Sequence, residues 1–377
     1  MTGTDREFTS IEICAGAGGQ AIGLHAAGFR HLALVEIDRY AAATLSSNID
    51  VHPKWEWEHK HCDVLPMDVN DFEPEENLKK SKGVYRKGEL DLLAGGVPCP
   101  PFSHAGKQLG ADDERDLFPR ILELAERIRP KAVMIENVRG LMDAKFEAYR
   151  EKIQTSLEKM KPDADGLPGY KVEVWKVFEA ADFSVPQLRP RSILVAFRTD
   201  VLQDLKYEEP VPETEVRTVF DALGESMEER FKPFLNGPRA AEAKRILDEW
   251  SRDAARGVAP TLVGGSKKHG GADLGPSRAK KAWRALGVSG MGVANDPEVC
   301  RVKSTEDRDL FGEDGPMLTV RQAATIQGFP EYWEFTGGKT ASYRQVGNAF
   351  PPPVAAAIGK SIIDVLAAAR ERDKSKG

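Results

Sequence analysis

At 377 residues, 41% hydrophobic and 30% charged, the chain is sized for one large domain and a smaller one with sizeable cores, and its formal charge of -6 excludes a uniformly basic nucleic-acid binder. No run of about 18 apolar residues occurs, and the first ten residues are polar and partly acidic, so neither a membrane span nor an export leader is expected and the setting is read as cytoplasmic. Four cysteines, Cys14, Cys62, Cys99 and Cys300, lie far apart without a CxxC pair, which argues against a disulfide framework or zinc ribbon and fits a reducing compartment.

In chain order, apolar strand-like runs alternate with helical stretches from residue 10 to about 198. Strands are predicted over 10–14, 31–36, 89–94, 131–136, 171–179 and 191–197, with helices over 20–27, 39–46 and 118–127, the pattern of an α/β sheet covered by helices on both faces. His52, His59, His61 and Cys62 crowd within eleven positions but fit no zinc-finger spacing, and no metal is expected. The Lys/Glu-rich stretch 68–87 reads as an exposed excursion. From about 199 to 315 the pattern loosens into short pieces rich in glycine and charge, a second domain of irregular structure. Helices follow over 318–328 and, after a proline start, 351–370. The expected division is a first domain over 1–198, a second over 199–316, a hinge over 317–341 and a segment over 342–377 that returns to complete the first. Between 231 and 290 twelve Lys or Arg face five acids, +7 against -13 for the remainder. Such a run is either a solvated face or a surface for phosphates.

Two constellations carry chemistry. The run IEICAGAGGQAIGLHAAGF (11–29) sets a glycine-rich turn directly after a strand and before a helix, where Gly16, Gly18 and Gly19 let a ligand approach the backbone and the helix amino terminus offers free N–H groups. Glu36, twenty residues past Gly16, can accept from both ribose hydroxyls, and Asp63 from an adenine amino group. This suits NAD as well as S-adenosylmethionine, and a merely structural tight turn is the plain alternative.

The second constellation is LLAGGVPCPPFSHAGKQLG (92–110), a buried strand running into a loop in which prolines flank Cys99 and fix the direction of its thiol. A free cysteine is more often a small buried hydrophobe, but the PCPP setting on a glycine-rich loop favours a nucleophile. AVMIENV (132–138) ends an apolar strand in Glu136, a carboxylate that is costly there unless paired or used, and whose protonated form desolvation favours, as a general acid requires. VPQLRPRSILVAFR (185–198) presents Gln187, Arg189 and Arg191 at spacing two just before a strand, a spacing that projects all three from the same face, for a phosphate or a pyrimidine carbonyl or for surface salt bridges.

With these motifs in order, the chain resembles the DNA (cytosine-5)-methyltransferases of prokaryotic modification systems. The resemblance spans nearly the whole chain through CAGAGG (14–19), Glu36, Asp63, GGVPCPPFSHAGKQLG (95–110), MIENVRG (134–140), PQLRPR (186–191), LTVRQAATIQGFP (318–330) and SYRQVGNAFPPPVAAAIG (342–359). It implies a Rossmann-like catalytic domain that uses S-adenosylmethionine and a smaller target-recognition domain. Cys99 matches the catalytic cysteine, Glu136 the acid facing N3 and the amino group of the target cytosine, Arg191 the arginine at its O2, and Arg189 the other arginine of that motif. Cys14, Ala15, Gly16, Gly18 and Gly19, Glu36 with Ile37, Asp63 with Val64, Pro98 and Asn348 match the cofactor site. Loop 103–110, hinged at Gly106 and Gly110, reads as a lid whose Ser103, Lys107 and Gln108 meet DNA together with Lys267 and Lys268 of the basic stretch. Thr261-Leu262 resembles a threonine-leucine pair of the recognition domain. One departure stands out: EIC replaces the family's usual aspartate-leucine-phenylalanine, so Cys14 takes the place of a ring that packs on adenine. The implied partner is double-stranded DNA, bound by a monomer, with a cognate restriction endonuclease acting independently. A dinucleotide oxidoreductase would share only the glycine turn, a small-molecule or RNA methyltransferase has no need of the basic insert or late QVGN motif, and intact Cys99, Glu136 and Arg191 count against a module that only binds.

Overall fold

The computed structural model describes residues 7–81, 83–97, 116–264 and 272–376. One sheet contains β1 (Phe8–Ile13), β2 (Phe29–Val35), β3 (Asp63–Leu65), β4 (Leu92–Gly96), β5 (Ala132–Val138), β6 (Tyr170–Glu179) and β7 (Pro190–Arg198), in the order β3-β2-β1-β4-β5-β7-β6. The strands β1 to β5 pair in parallel, and β7 runs antiparallel to β5. Strand order reverses between β1 and β4, and in open α/β sheets ligands sit outside the carboxyl ends of the strands at that switch. Both chemistry-bearing loops of the sequence leave from those two ends.

Local sequence accounts for the flanking helices. The helix Gly19–Ala27 starts after Gly18 (φ +92) and stops at Gly28 (φ +116), left-handed positions that cost a residue with a side chain about 1–2 kcal/mol. Asp38 opens the helix Arg39–Val51 by accepting from Tyr40 N (2.9 Å) and Ala41 N (3.1 Å). The helix Phe118–Ile128 buries Phe118, Ile121, Leu124, Ala125 and Ile128, an i, i+3, i+4 stripe that shares a core with Ile13, Val35 and Leu93 of the sheet. The last helix, Pro352–Lys374, crosses Gly19–Ala27 closely: a Cβ on Gly359 would stand 3.0 Å from Leu24 and Ala27 side-chain atoms. The run Lys339–Lys374 has an 18-residue window of mean hydropathy 1.4, enough by composition to cross a membrane and missed by a search for unbroken apolar runs. Of that window 56% is buried inside the protein, with Val354, Ile358, Ile362 and Leu366 in the core.

Two expectations need correction. Stretch 68–87 is no free excursion: Val69, Phe72 and Leu78 are buried, and the Arg120 guanidinium holds the carbonyls of Val69 (3.1 Å) and Phe72 (2.5 Å). Its lysines and glutamates hide three irregularly spaced anchors. The second region is also more helical than its glycine content suggests, with Val219–Phe231, Ala240–Ala254, Ser277–Arg284 and Pro297–Lys303, while beyond it Val320–Gln327 falls inside the helix predicted over 318–328 and Lys339–Asn348 follows. Capping boxes, Thr218 with Asp221 and Thr319 with Gln322, open two of these.

The chain packs as two compact units, one of Met1–Phe178, Pro190–Val211 and Val354–Gly377, the other of Glu179–Arg189 and Pro212–Pro353. Glu179–Arg189 belongs with the second because Gln187 and Arg189 are tied to carbonyls there, as described below.

Candidate active site

In the first unit, the turn after β1 is built from left-handed residues: Cys14 (φ +53), Gly16 (φ +55) and Gly18 (φ +92). For Cys14 this conformation costs on the order of 1–3 kcal/mol, strain of the sort that collects at functional sites. Gly16 N donates to Glu36 Oε2 (2.7 Å) and Asp38 N to Glu36 Oε1 (2.7 Å), so the carboxylate is locked across the mouth of the turn. Burial raises the pKa of Glu36, while those two N–H groups oppose the rise. Each carboxylate oxygen retains acceptor capacity for a further donor, which fits a ribose diol. Ile37 follows at 68% exposure. Asp63 is buried at the start of β3 with Oδ2 accepting from Lys80 N (2.9 Å), so one oxygen serves the fold, and Val64 is half-buried beside it.

At the carboxyl end of β5, Glu136 Oε1 pairs with Arg191 Nε at 2.8 Å, the two side chains 12% and 13% exposed. The antiparallel return of β7 sets Ile193 opposite Glu136 and Arg191 opposite Val138, so Arg191 is the diagonal neighbour on the same face. The costly carboxylate of the sequence is therefore paired, and by the arginine that the resemblance assigns to the same base. Gly96 closes the arrangement: a Cβ there would lie 3.1 Å from Glu136 Oε2 and 3.8 Å from Cys14 O. Val97 N donates to Glu136 O (3.2 Å). Pro98 and Cys99 follow directly in sequence and lie outside the described residues, as do Ser103, Lys107, Gln108, Lys267 and Lys268.

The second unit treats Arg189 differently from Arg191. It is 1% exposed, donating through Nη1 to Leu262 O (2.7 Å) and through Nη2 to Gly347 O (2.8 Å) and Ala349 O (2.8 Å). Gln187 accepts from Leu262 N (2.8 Å) and donates to Gln327 Oε1 (2.6 Å), and Gln327 donates in turn to Ala349 O. Four motif segments, PQLRPR, Thr261-Leu262, QGFP and QVGN, thus meet in one polar knot. Thr261 adds a bond to Leu188 O (2.6 Å). Sequence reading singled out these segments but not their mutual bonding, and it did not identify Gln327.

At least six of the twelve cations of the basic stretch are paired within their own unit. Lys244 pairs with Asp248, Arg245 with Glu249, Arg256 with Asp253, Lys280 with Asp273, Arg239 with Glu242 and Asp307, and Arg284 with Asp314. Two of those acids lie beyond residue 290, which is why counting along the sequence overstated the excess. A recess of about 620 Å³ in the same unit carries Lys303, Arg308, Arg321 and Lys339 beside Asp296 and Glu334, cations outside the stretch picked from sequence. Cys14, Cys62 and Cys300 are free thiols, and burial, as the largest cause, pushes each one's pKa up. Of the crowded histidines, His59 pairs with Asp50 (3.1 Å) and His52 accepts from Lys54 N (3.3 Å).

A mostly parallel sheet with an antiparallel β7, a glycine turn, an acid after the next strand and a carboxylate-guanidinium pair at the carboxyl end of β5 fits an α/β methyltransferase-type enzyme. The profile of the C-5 cytosine-specific DNA methylases matches residues 8–364, and the chain belongs to that family as a DNA (cytosine-5)-methyltransferase. It is 46% identical over 356 residues to the Type II methyltransferase M.NaeI of Lentzea aerocolonigenes (93% of this chain, 74% of that protein). It is 44% identical over 363 residues to the Type II methyltransferase M.NgoMIV of Neisseria gonorrhoeae (96% and 98%). Among solved structures, the Entamoeba histolytica methyltransferase EhMeth superposes with a TM-score of 0.58 at 14% identity, covering 96% of this chain and 99% of that one, and the S. pombe Dnmt2 methyltransferase with 0.52 at 17% over the same shares. At such identities these two structures speak for the fold.

Proposed function

We propose that this enzyme methylates carbon 5 of a cytosine extruded from a specific duplex sequence, with Cys99 as nucleophile and S-adenosylmethionine as donor. The observation that carries this reading is the Glu136–Arg191 pair at the end of β5, set across Gly96 from the strained glycine turn. Carbon 5 of cytosine is too weak a nucleophile to take a methyl group unaided. Addition of the Cys99 thiolate to carbon 6 pushes an electron pair towards carbon 5, with Glu136 hydrogen-bonding or protonating N3 as charge accumulates and Arg191 holding O2. Bound S-adenosylmethionine supplies an electrophilic methyl group to that carbon. Loss of the carbon 5 proton to a base then returns the electron pair, and the carbon 6–sulfur bond breaks to free Cys99. The target base is inaccessible in a stacked duplex, and extruding it costs a few kcal/mol.

Chemistry supports Cys99 by elimination. The other three thiols of the chain sit where burial favours the protonated form, and a thiol kept protonated is a poor nucleophile. Gly16, Gly18 and Gly19, Glu36 with Ile37, and Asp63 would hold the nucleoside of the donor, and the resemblance assigns Asn348 to the same cofactor. Arg189, bound to three carbonyls, is a positioning residue rather than a group that touches the base. The Type II names of the relatives support a modification enzyme of a restriction–modification system; the proposal further takes it to act as a monomer on double-stranded DNA in the cytoplasm, with any cognate endonuclease working independently.

The test is incubation with tritiated S-adenosylmethionine and mixed-sequence duplex DNA, with bisulfite mapping and a Cys99→Ser control. Methylcytosine at one recurrent short site, lost in the control, is expected. Undiminished transfer by the control would remove Cys99 from its role, and transfer to RNA but not DNA would overturn the substrate.

A further inference from the structure

The tightest backbone approach in the polar knot joins two glycines 83 residues apart. A Cβ on Gly347 would stand 2.6 Å from Gly264 N and from Val263 C, both backbone atoms. A Cβ on Gly264 would stand 2.1 Å from Asn348 Oδ1, 2.6 Å from its Cγ and 3.0 Å from its Nδ2, so the three nearest atoms all belong to one side chain. Arg189 holds both chains at this crossing through Leu262 O on one side and Gly347 O and Ala349 O on the other. The Asn348 residue is nevertheless exposed, with Gly264 packed against its amide.

We infer that Gly264 is a positioning residue for the cofactor: the absence of a side chain there is what lets the Asn348 amide take the orientation in which it meets S-adenosylmethionine. The inference rests on the reading of Asn348 as a cofactor contact. A packed wall of backbone on one side of an amide limits its rotamers, so the group meets its ligand already oriented and loses less freedom on binding. The segment after Thr261-Leu262 and the QVGN motif then act as one piece, and a change in the former is read out as a change in cofactor affinity.

The experiment is calorimetric titration of S-adenosylmethionine into the full chain, as wild type, Gly264→Ala, Asn348→Ala, the double variant, and Gly237→Ala, whose Cβ would meet nothing within 4 Å. Loss of one ligand hydrogen bond is worth roughly 5- to 10-fold in Kd. Asn348→Ala is expected to weaken binding by about that factor, Gly264→Ala by a similar factor, and the double variant no more than Asn348→Ala alone, because truncation at 348 removes the atoms that the new methyl group would strike. Should Gly264→Ala melt early, Asn348→Ala must restore the melting temperature. Wild-type affinity in Asn348→Ala would overturn the cofactor reading and this inference with it. A weakened Asn348→Ala beside a Gly264→Ala indistinguishable from Gly237→Ala would overturn the inference alone, as would losses that add in the double variant or a melting defect that is not rescued.

Discussion

The two ends of the central sheet use the same residue types to opposite effect. At the amino end of β4, Asp91 is fully buried and accepts from Thr9 N (2.9 Å), Lys131 Nζ (2.7 Å) and Arg370 Nη2 (2.9 Å). Nearby Arg198 donates to Gly88 O (2.8 Å), Arg129 O (2.5 Å) and Asp200 (2.7 Å). Charge there is closed on charge and on carbonyls. At the carboxyl end, Glu36 meets backbone N–H groups, Glu136 meets the half-buried Arg191, and Cys14 and Gly16 are held left-handed. A buried ion pair is weak evidence of stability in itself, but removing one partner is strongly destabilising. The first end is therefore a fastening, while the second keeps strain and part-open polar groups in place for a ligand.

Substitutions separate these roles. Glu136→Gln is expected to slow methyl transfer by about 10²- to 10⁴-fold, the range for a positioned acid, with S-adenosylmethionine binding intact. Wild-type single-turnover rates in that variant would take Glu136 out of the chemistry. Asp91→Asn should do the reverse. It removes the negative charge that Lys131 and Arg370 share at Asp91, and since both are about a fifth exposed, the cost should fall near the lower end of the ~3–5 kcal/mol typical of a broken buried pair. Urea unfolding reads that loss, and cofactor affinity per folded molecule should not move. If Asp91→Asn shifted affinity at unchanged stability, the contrast between the ends would be wrong.

Much of the carboxyl end was legible in sequence, since a glycine turn between a strand and a helix, an acid at the next strand's end and a carboxylate closing an apolar run are local signals. The Glu136–Arg191 pair was not, because it needs β7 to run back antiparallel against β5, and alternation within a strand says nothing of its neighbour. Nor was the knot around Arg189, whose acceptors are backbone carbonyls 73 to 160 residues away and carry no side-chain signature. Three-residue β3 is too short to show a period. In the second region the helix Ala240–Ala254 hides its stripe of Ala243, Ile246, Trp250 and Ala254 among charges, so composition read as loop.

Gly96→Ala probes the site more gently than Glu136→Gln. The new methyl group would lie 3.1 Å from Glu136 Oε2, tighter than most real contacts, so the carboxylate must give by a few tenths of an ångström. Since a misplacement of about 1 Å can cost 10²-fold, a loss of roughly 10-fold in kcat is expected, with the Kd for cofactor little changed. An unaltered kcat would show that Glu136 does not need its observed position.

The smallest effect at neutral pH, and the one most specific to pH, belongs to His31. Its ring is fully buried between β1 and the helix Gly19–Ala27, with Nδ1 on Ser10 Oγ (2.9 Å) and Nε2 on Ala21 O (2.9 Å), beside Glu58, His25 and Arg30. A carbonyl only accepts, so Nε2 carries a proton, and when the ring is neutral Nδ1 accepts from the serine hydroxyl. Burial, against the raising effect of Glu58, pushes the pKa down to about 4 from 6.5. The unfolded chain then binds a proton that the folded one refuses between those two values. The contribution is fully present above about pH 6.5 and is lost as pH falls towards 4, with a slope approaching ~1.4 kcal/mol per pH unit for one proton. In His31→Gln, melting temperatures followed from pH 8 to 4.5 should fall less steeply than in wild type below about pH 6.5. Equal slopes in the two proteins would mean that the ring takes up its proton in the fold as readily as in water, which its full burial argues against.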